Sequence, residues 1–305
     1  MSIDGRIMVI GASGRIGYRL CEQLRQQNAT VLGAARFSDP DTRAALEKMG
    51  VQTLPYNVQT DDPATLPDAD LLILEVWDPQ RHAGPDAYEQ IWSLNYTGVG
   101  RLVARYAGRA DVVNGCSGNV YGSSAHAWTE ADAPRPDTEY GLARFAQEKL
   151  IDFLCDQAGS RVCHLRYFHA NTPDSGAIHR LAQSILRGES LGDAPDAYVR
   201  VIGMVDFVRC TLAAAARLDA GTLPRAVNIV HPTLWTRRQL AERIHKALGQ
   251  GAVVFDRESG GVEQSVYGEP SLMLETFGPP EEDLDTLIDQ VCAQVREEAA
   301  RGVGG

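Results

Sequence analysis

Arg6-Ile7-Met8-Val9-Ile10-Gly11-Ala12-Ser13-Gly14-Arg15-Ile16-Gly17, running on into Tyr18–Gln26, decides the fold of this 305-residue chain. An apolar run of strand length meets three glycines spaced three apart, and a segment of helical period follows. The glycines permit a tight turn and let a pyrophosphate approach the backbone closely. The helix start behind them offers N–H groups without intrahelical partners and positive dipole character. Gly11, Gly14 and Gly17, with Ser13, Arg15 and Ile16 between them, are therefore candidate dinucleotide contacts. A glycine triplet also occurs in ordinary strand-to-helix turns. Its position between the first strand and the first helix is the context the dinucleotide reading requires.

Working outward, the same alternation continues. Strand-length apolar runs are expected at Arg6–Ile10, Thr30–Ala34, Val51–Tyr56, Leu71–Glu75, Asp111–Gly115 and Arg161–Tyr167. Helical periods separate them at Ile16–Gln26, Thr42–Met49, Ala87–Ala107 and Tyr140–Gln157. Short apolar strands with intervening amphipathic helices predict an α/β fold, a doubly wound parallel sheet covered on both faces. After about residue 170 the alternation loosens and turn signals such as Thr172-Pro173-Asp174 and His231-Pro232-Thr233 multiply. Residues 1–170 are thus expected to form the dinucleotide-binding domain. Residues 171–305 are expected to form a smaller substrate lobe interleaved with late sheet elements.

The second strand ends Val31-Leu32-Gly33-Ala34-Ala35-Arg36. An NAD site usually places a carboxylate there, on the adenosine ribose 2′-hydroxyl. Ala35 holds that position, and the guanidinium of Arg36 suits a 2′-phosphate, which points to NADP rather than NAD.

Composition narrows the partners. Forty acidic against 29 basic residues give a net charge of −11, which disfavours nucleic acid because such a surface repels phosphate backbones. The apolar start breaks at Gly11, far too short to span a bilayer, so no membrane partner is expected. Six scattered cysteines without metal spacing read as small buried hydrophobes of a reducing, cytoplasmic compartment, with no metal site. Only three lysines occur, at Lys48, Lys149 and Lys246, against 26 arginines.

Several further motifs follow in order: Asn57-Val58 after the third strand, Asn95-Tyr96-Thr97-Gly98, Ser117-Gly118-Asn119-Val120-Tyr121-Gly122, Tyr140-Gly141-Leu142-Ala143-Arg144 with Glu148, Leu165-Arg166-Tyr167-Phe168, and Arg200 followed by Val205-Asp206. Together with Gly11/Gly14/Gly17 the chain resembles, over nearly its whole length, the extended short-chain dehydrogenase/reductases of the NAD-dependent epimerase/dehydratase (nucleotide-sugar epimerase-like) type. The resemblance implies a Rossmann-type sheet and hydride exchange with a nicotinamide. It also implies Asn57 and Val58 at the adenine, a homodimer through the helices of Ala87–Ala107 and Tyr140–Gln157, and catalysis by Ser117 and Tyr140. In such enzymes a lysine four residues after the tyrosine lowers its pKa and holds the nicotinamide ribose.

Elementary chemistry agrees with those residue types. An alcohol needs a base at its oxygen and a ketone needs an acid there. A tyrosine titrating near 10 needs a fixed cation to favour phenolate near neutrality. Tyr140 and Arg144 are i and i+4, on one helix face. Ser117 follows a strand, so its hydroxyl can project from the carboxyl edge where α/β sites lie.

The departures are equally informative. The lysine is Arg144, which keeps the charge in a larger, planar group. Lys149 cannot replace it, since nine residues beyond Tyr140 it lies about 180° around the helix. Gly118 and Asn119 stand where the sugar-nucleotide dehydratases carry an Asp-Glu pair, which disfavours 4,6-dehydration. The fourth strand ends Leu74-Glu75-Val76-Trp77-Asp78-Pro79, with Glu75 and Trp77 as candidates. Glu75 reads as a cofactor-site acid or ligand, or as the ion-pair partner of an arginine. Trp77 reads as a ring to stack on a sugar, or as a cover for the sheet edge. Asn119, His169, which replaces a substrate-contacting asparagine, and Arg200, suited to a phosphate or carboxylate, complete the substrate candidates. The expectation is an NADP-dependent oxidoreductase or epimerase acting on a secondary hydroxyl or ketone of a sugar or sugar nucleotide. The alternative is a non-catalytic NADP-binding sensor or regulatory subunit that kept the fold and lost the lysine.

Overall fold

A computed structural model describes residues 5–76 and 85–302, apart from the side chains of residues 85–87 and 219. Strands β1 (Arg6–Ile10), β2 (Thr30–Ala35), β3 (Gln52–Pro55), β4 (Leu71–Leu74), β5 (Asp111–Ser117), β6 (Val162–Tyr167) and β7 (Ala226–Ile229) form one seven-stranded sheet in the order β7-β6-β5-β4-β1-β2-β3. β1 pairs in parallel with both β2 and β4, so the strand order reverses there and places the switch point of a Rossmann-type sheet at the end of β1. The six strands expected from the first 170 residues are all present, with ends shifted by two residues or fewer. β7 was not among them. Its pairing with β6 is also parallel, since His164 N–H donates to Arg225 C=O and Phe168 N–H to Ile229 C=O, four residues further along both strands.

Side-chain parity sorts the two faces of the sheet. Met8 and Ile10, Leu32 and Ala34, and Leu72 and Leu74 share one buried cluster with Leu102, Val103 and Tyr106 of α4 (Val99–Tyr106) and Ile151 and Cys155 of α5 (Glu139–Ala158). The alternate residues face the other way. There α1 (Arg15–Gln26) packs at ordinary contact distance, with Cys21 Sγ 3.9 Å from where a Cβ on Gly33 would lie. Each large aliphatic side chain buried here contributes roughly 1.5–3 kcal/mol.

The helix expected over Ala87–Ala107 is broken into three. α3 (Pro85–Trp92) passes into a π-helical turn, Ser93–Gly98, before α4 begins. Gly98 fits under the backbone at this widened turn, where an added Cβ would sit 2.5 Å from Val58 O. The turn aims the buried Asn95 side chain inward. Such interruptions gather at functional sites.

The chain divides into two compact units: residues 1–120, 134–166 and 208–227, and residues 121–133, 167–207 and 228–305. The second unit has its own core, in which Ile178, Ala182 and Ile185 of α6 (Ala177–Arg187) meet Leu240 and Ile244 of α8 (Arg237–Leu248) and Leu287, Ile288 and Val291 of α10 (Leu284–Ala300). Among the described residues no helix is long and apolar enough to cross a membrane.

Candidate active site

The phosphate loop is built by what it lacks. Gly11 has φ +90°, and a Cβ there would sit 2.3 Å from Glu75 O. A Cβ on Gly17 would sit 2.2 Å from Gly11 O. Gly14 is the N-cap of α1, so no side chain closes the first turn and no acidic residue stands in it. Ser13, Gly14 and Arg15 are exposed while Ile16 and Gly17 are buried. The backbone is thus bared where an anionic group would lie, and these residues fit the diphosphate of a dinucleotide. At the end of β2, Ala35 is buried and Arg36 exposed. Asn57 and Val58 are occupied by local structure. Asn57 N–H donates to Asp61 Oδ2 at 2.8 Å, Asn57 Oδ1 accepts from Gln59 N–H, and Val58 O accepts from Arg101.

Ser117 is the last residue of β5, and its hydroxyl accepts the Asn119 N–H at 3.2 Å. The first turn of α5 rests on this bend, so that a Cβ on Gly141 would lie 2.3 Å from Asn119 O. Thr138 caps the helix by accepting Gly141 N–H at 3.1 Å. Ser117, Asn119 and the half-buried Tyr140 are thereby brought to one end of the first unit.

Arg144, one turn along α5, is wholly buried. Its Nη1 donates to Val76 O at 3.1 Å and to Asn95 Oδ1 at 3.2 Å, and its Nη2 donates to Gly115 O. Its Nε is buried without a hydrogen-bond partner among the described residues. Asn95 completes the contact by donating from Nδ2 to Ile91 O at 2.9 Å. Burial works against the charge of Arg144. The surrounding Cys116, Tyr140, Glu75 and Glu148 outweigh it and raise the Arg144 pKa, so the guanidinium stays protonated. Glu75, 7 % exposed, packs its carboxylate on Gly115, with Oε2 2.5 Å from where a Cβ would be.

Behind this lies a buried pair that sequence reading did not assemble. Arg166 of β6 grips Glu148 through Nε to Oε1 at 3.0 Å and Nη2 to Oε2 at 2.7 Å. Burial alone would raise the Glu148 pKa, but Arg166 and the nearby His164 hold it down. His164, also buried, has Nε2 2.9 Å from Asp152 Oδ1 and Nδ1 3.0 Å from Asn114 Nδ2. The ring thus donates to the carboxylate and accepts from the amide. Cys116, between these charges, is pushed up to about 12, chiefly by burial. The available signal was charge at helical spacing on a buried face, Arg144 and Glu148 being i and i+4.

In the second unit, His169 adopts φ +47°, a left-handed conformation uncommon outside glycine. Its Nε2 lies 3.2 Å from Val266 O, and Asn171 Nδ2 donates to its carbonyl. Arg200 has Nε and Nη1 buried with no hydrogen-bond partner among the described residues. Close in the same unit, beyond the end of β7, stands His231, which sequence reading took only as part of a turn. Its N–H donates to Val201 O, and its Nδ1 accepts Thr233 N–H at 3.1 Å. Burial lowers the His231 pKa against the pull of Asp206 and Asp283. Trp77 lies outside the described residues.

A sequence model of the NAD dependent epimerase/dehydratase family matches residues 7–229. No curated protein matches significantly. Among solved structures, the UDP-glucuronic acid 4-epimerase of Bacillus cereus in complex with UDP-glucuronic acid and NAD is 20 % identical with a TM-score of 0.79, over 96 % of this chain and 99 % of that one. MoeE5 in complex with UDP-glucose and NAD is 19 % identical, TM-score 0.81, over 97 % and 100 %. TunA, an NAD dependent NDP-hexosamine 5,6-dehydratase involved in tunicamycin biosynthesis, is 18 % identical, TM-score 0.75, over 96 % and 98 %. At these identities the likeness is one of fold.

Proposed function

The chain belongs to the NAD dependent epimerase/dehydratase family, and from that premise we propose that it exchanges a hydride at a secondary hydroxyl or ketone of a sugar nucleotide. The observation that carries the reading is the close approach of Gly141, the residue after Tyr140 at the start of α5, to the Asn119 carbonyl beside Ser117, with the buried cation Arg144 one turn further along. The nicotinamide, when bound, supplies or accepts the hydride. The glycines and the open start of α1 hold its diphosphate. Ser117 orients the substrate oxygen, and Tyr140 gives it a proton or removes one.

UDP-sugars bound to the B. cereus epimerase and to MoeE5 support a sugar nucleotide as substrate. The two buried, unpartnered nitrogens of Arg200 suit its phosphate, or a sugar carboxylate. The absence of carboxylates at Gly118 and Asn119 argues against 4,6-elimination through those positions. TunA removes water on the same fold, so this argument reaches no further than that one route. NADP is the proposed cofactor, on Ala35 and Arg36. NAD is the competing one, being what the similar structures hold. Exposed Leu142 and Phe153 on α5 and Tyr96 in the π-helical turn support a homodimer, and an elution volume fixed at 33.2 kDa would refute it. Six buried thiols support a cytoplasmic, reducing location.

A second reading, a cofactor-binding sensor without turnover, is favoured by one observation: the guanidinium of Arg144 is committed to three interior acceptors. Mass spectrometry of the co-purifying nucleotide, then absorbance at the reduced-nicotinamide band against a panel of sugar nucleotides, separates the readings. An accumulating signal means a dehydrogenase or reductase, and a changed sugar without net signal means an epimerase. Cofactor bound with neither, and no loss of any property on Tyr140→Phe, means the sensor.

A further inference from the structure

We propose that His231 is a specificity-determining residue of the substrate site, a neutral N–H donor that joins Arg200 in binding an anionic group of the substrate. This rests on the sugar-nucleotide reading above and deepens it by naming a further contact.

Arg200 waits for an acceptor that its own unit does not provide. Along the segment that carries it, Ala197, Val199 and Val201 are buried while Tyr198 and Arg200 are partly exposed. Val199 and Val201 belong to the core of the second unit, so by alternation Tyr198 and Arg200 share the opposite face. There the Tyr198 ring meets that of Tyr267, with centroids 5.4 Å apart. The charge of Arg200 acts on both Tyr267 and His231. Its Nε and Nη1 are closed off from water and have no hydrogen-bond partner among the described residues. Buried donors are rarely left so, and a guanidinium is matched best by phosphate or carboxylate oxygens.

His231 is held in one form for the same task. Its backbone N–H donates to Val201 O at 3.2 Å, which sets the His231 turn against the residue that follows Arg200. Its Nδ1 accepts the Thr233 N–H at 3.1 Å. A ring nitrogen that accepts carries no proton, so the neutral ring keeps its proton on Nε2. With Nδ1 turned back on its own chain, Nε2 points away from that chain. No described residue accepts its N–H.

The surrounding charges keep the ring neutral. Arg200 faces it, as do Asp206 at the start of the helix Met204–Arg217 and Asp283 at the N-cap of α10. The two carboxylates favour imidazolium, but burial, chiefly, and Arg200 oppose it and prevail. Charging the ring would also set an Nδ1–H against the Thr233 N–H. Both carboxylates are occupied elsewhere. Asp206 accepts the N–H groups of Glu281 and Glu282 at 2.8 and 3.0 Å, and Asp283 accepts Thr286 N–H at 2.9 Å. An anion here therefore meets one fixed cation and one neutral donor.

The test reads the His231 ring in the whole protein by long-range proton–nitrogen NMR, its signals assigned by their loss in His231→Gln or His231→Asn. The Nε2–H tautomer is expected at neutral pH. Pyrophosphate or glucuronate should shift its signals saturably, the two probes separating phosphate from carboxylate, and Arg200→Gln should abolish the shift. By calorimetry, His231→Ala should weaken the bound probe about tenfold. His231→Asn keeps an acceptor for the Thr233 N–H but falls short of the Nε2 position, and should lose as much. His231→Gln places an N–H near that position and should retain most of the affinity. Signals unmoved by both probes, an Nδ1–H tautomer, or rescue by asparagine rather than glutamine would overturn the proposal. An anion bound at His231 in a protein that changes no sugar nucleotide would overturn the hydride-transfer reading while leaving the role of His231 established.

Discussion

Two regions of the first unit sit at the carboxyl edge of the same sheet and are built by opposite means. The loop after β1 works through missing side chains. Gly11 and Gly17 approach other backbone atoms where a Cβ would stand 2.3 and 2.2 Å from a carbonyl oxygen, and Gly14 leaves the helix start uncapped. The region behind Ser117 works through crowded charge, with Arg144, Glu148, Arg166 and Glu75 all buried. The first region has little to lose in stability and everything to lose in ligand contact. In the second, each charge is tolerable only because its partner is present, so it holds the fold as much as it serves the site.

The largest expected effect falls on the second region. Glu148→Gln leaves the buried Arg166 without its carboxylate and should cost about 3–5 kcal/mol, read from urea unfolding at neutral pH. The acid dependence has a definite sign. The folded-state pKa of Glu148 lies below its ordinary 4.5, so its stabilisation is complete above about that pH and is lost as pH falls through the folded value. The gap between wild type and variant should narrow only on that acid side. A gap independent of pH would show that the pair acts by shape rather than charge.

Gly17→Ala probes the other region. With its Cβ against the Gly11 carbonyl, the loop must move away from α1. Dinucleotide affinity should fall on the order of 100-fold, about 2.7 kcal/mol, by calorimetric titration, with a smaller loss of unfolding free energy. Should Gly17→Ala cost more stability than binding, while Glu148→Gln did the reverse, the contrast between the regions would be broken.

The same contrast governs what could be read from the sequence. A region made of absences leaves a spacing, and Gly11, Gly14 and Gly17 announced the loop, the sheet and the α/β class together. A region made of contacts leaves almost none. Val76 and Gly115 serve Arg144 through their carbonyls, which every residue possesses, so nothing in their identity marks them. The π-helical turn adds width without disturbing the apolar period enough to be seen, and Ala87–Ala107 read as one helix. Glu75 was left open between ligand and ion pair because what its carboxylate packs on, Gly115, lies 40 positions away on another strand. β7 escaped because Ala226–Ile229 is a four-residue run far from the alternation that defined the others.

A smaller effect sharpens the first region. Arg36→Ser removes the cation at the end of β2 without touching the glycines. If a 2′-phosphate lies there, the ratio of NADP to NAD affinity should fall about tenfold, or 1.4 kcal/mol. An unchanged ratio would return the preference to NAD.

The smallest effect lies where α5 begins. Thr138 accepts Gly141 N–H at 3.1 Å, and its replacement by alanine should cost about 1 kcal/mol, as the loss of a helix N-cap does. That cap also fixes the turn bearing Tyr140 on the Asn119 carbonyl. The buried charges further along α5 are held by Val76 after β4, by Asn95 in the π-helical turn, by Gly115 on β5 and by Arg166 on β6, and owe nothing to the cap. Thr138→Ala should therefore lower turnover in proportion more than stability and leave the acid dependence set by Glu148 where it was. If instead the acid dependence moved with the cap, the start of α5 and its buried middle would be one structural unit, and the separation between placing the tyrosine and burying the charge behind it would fail.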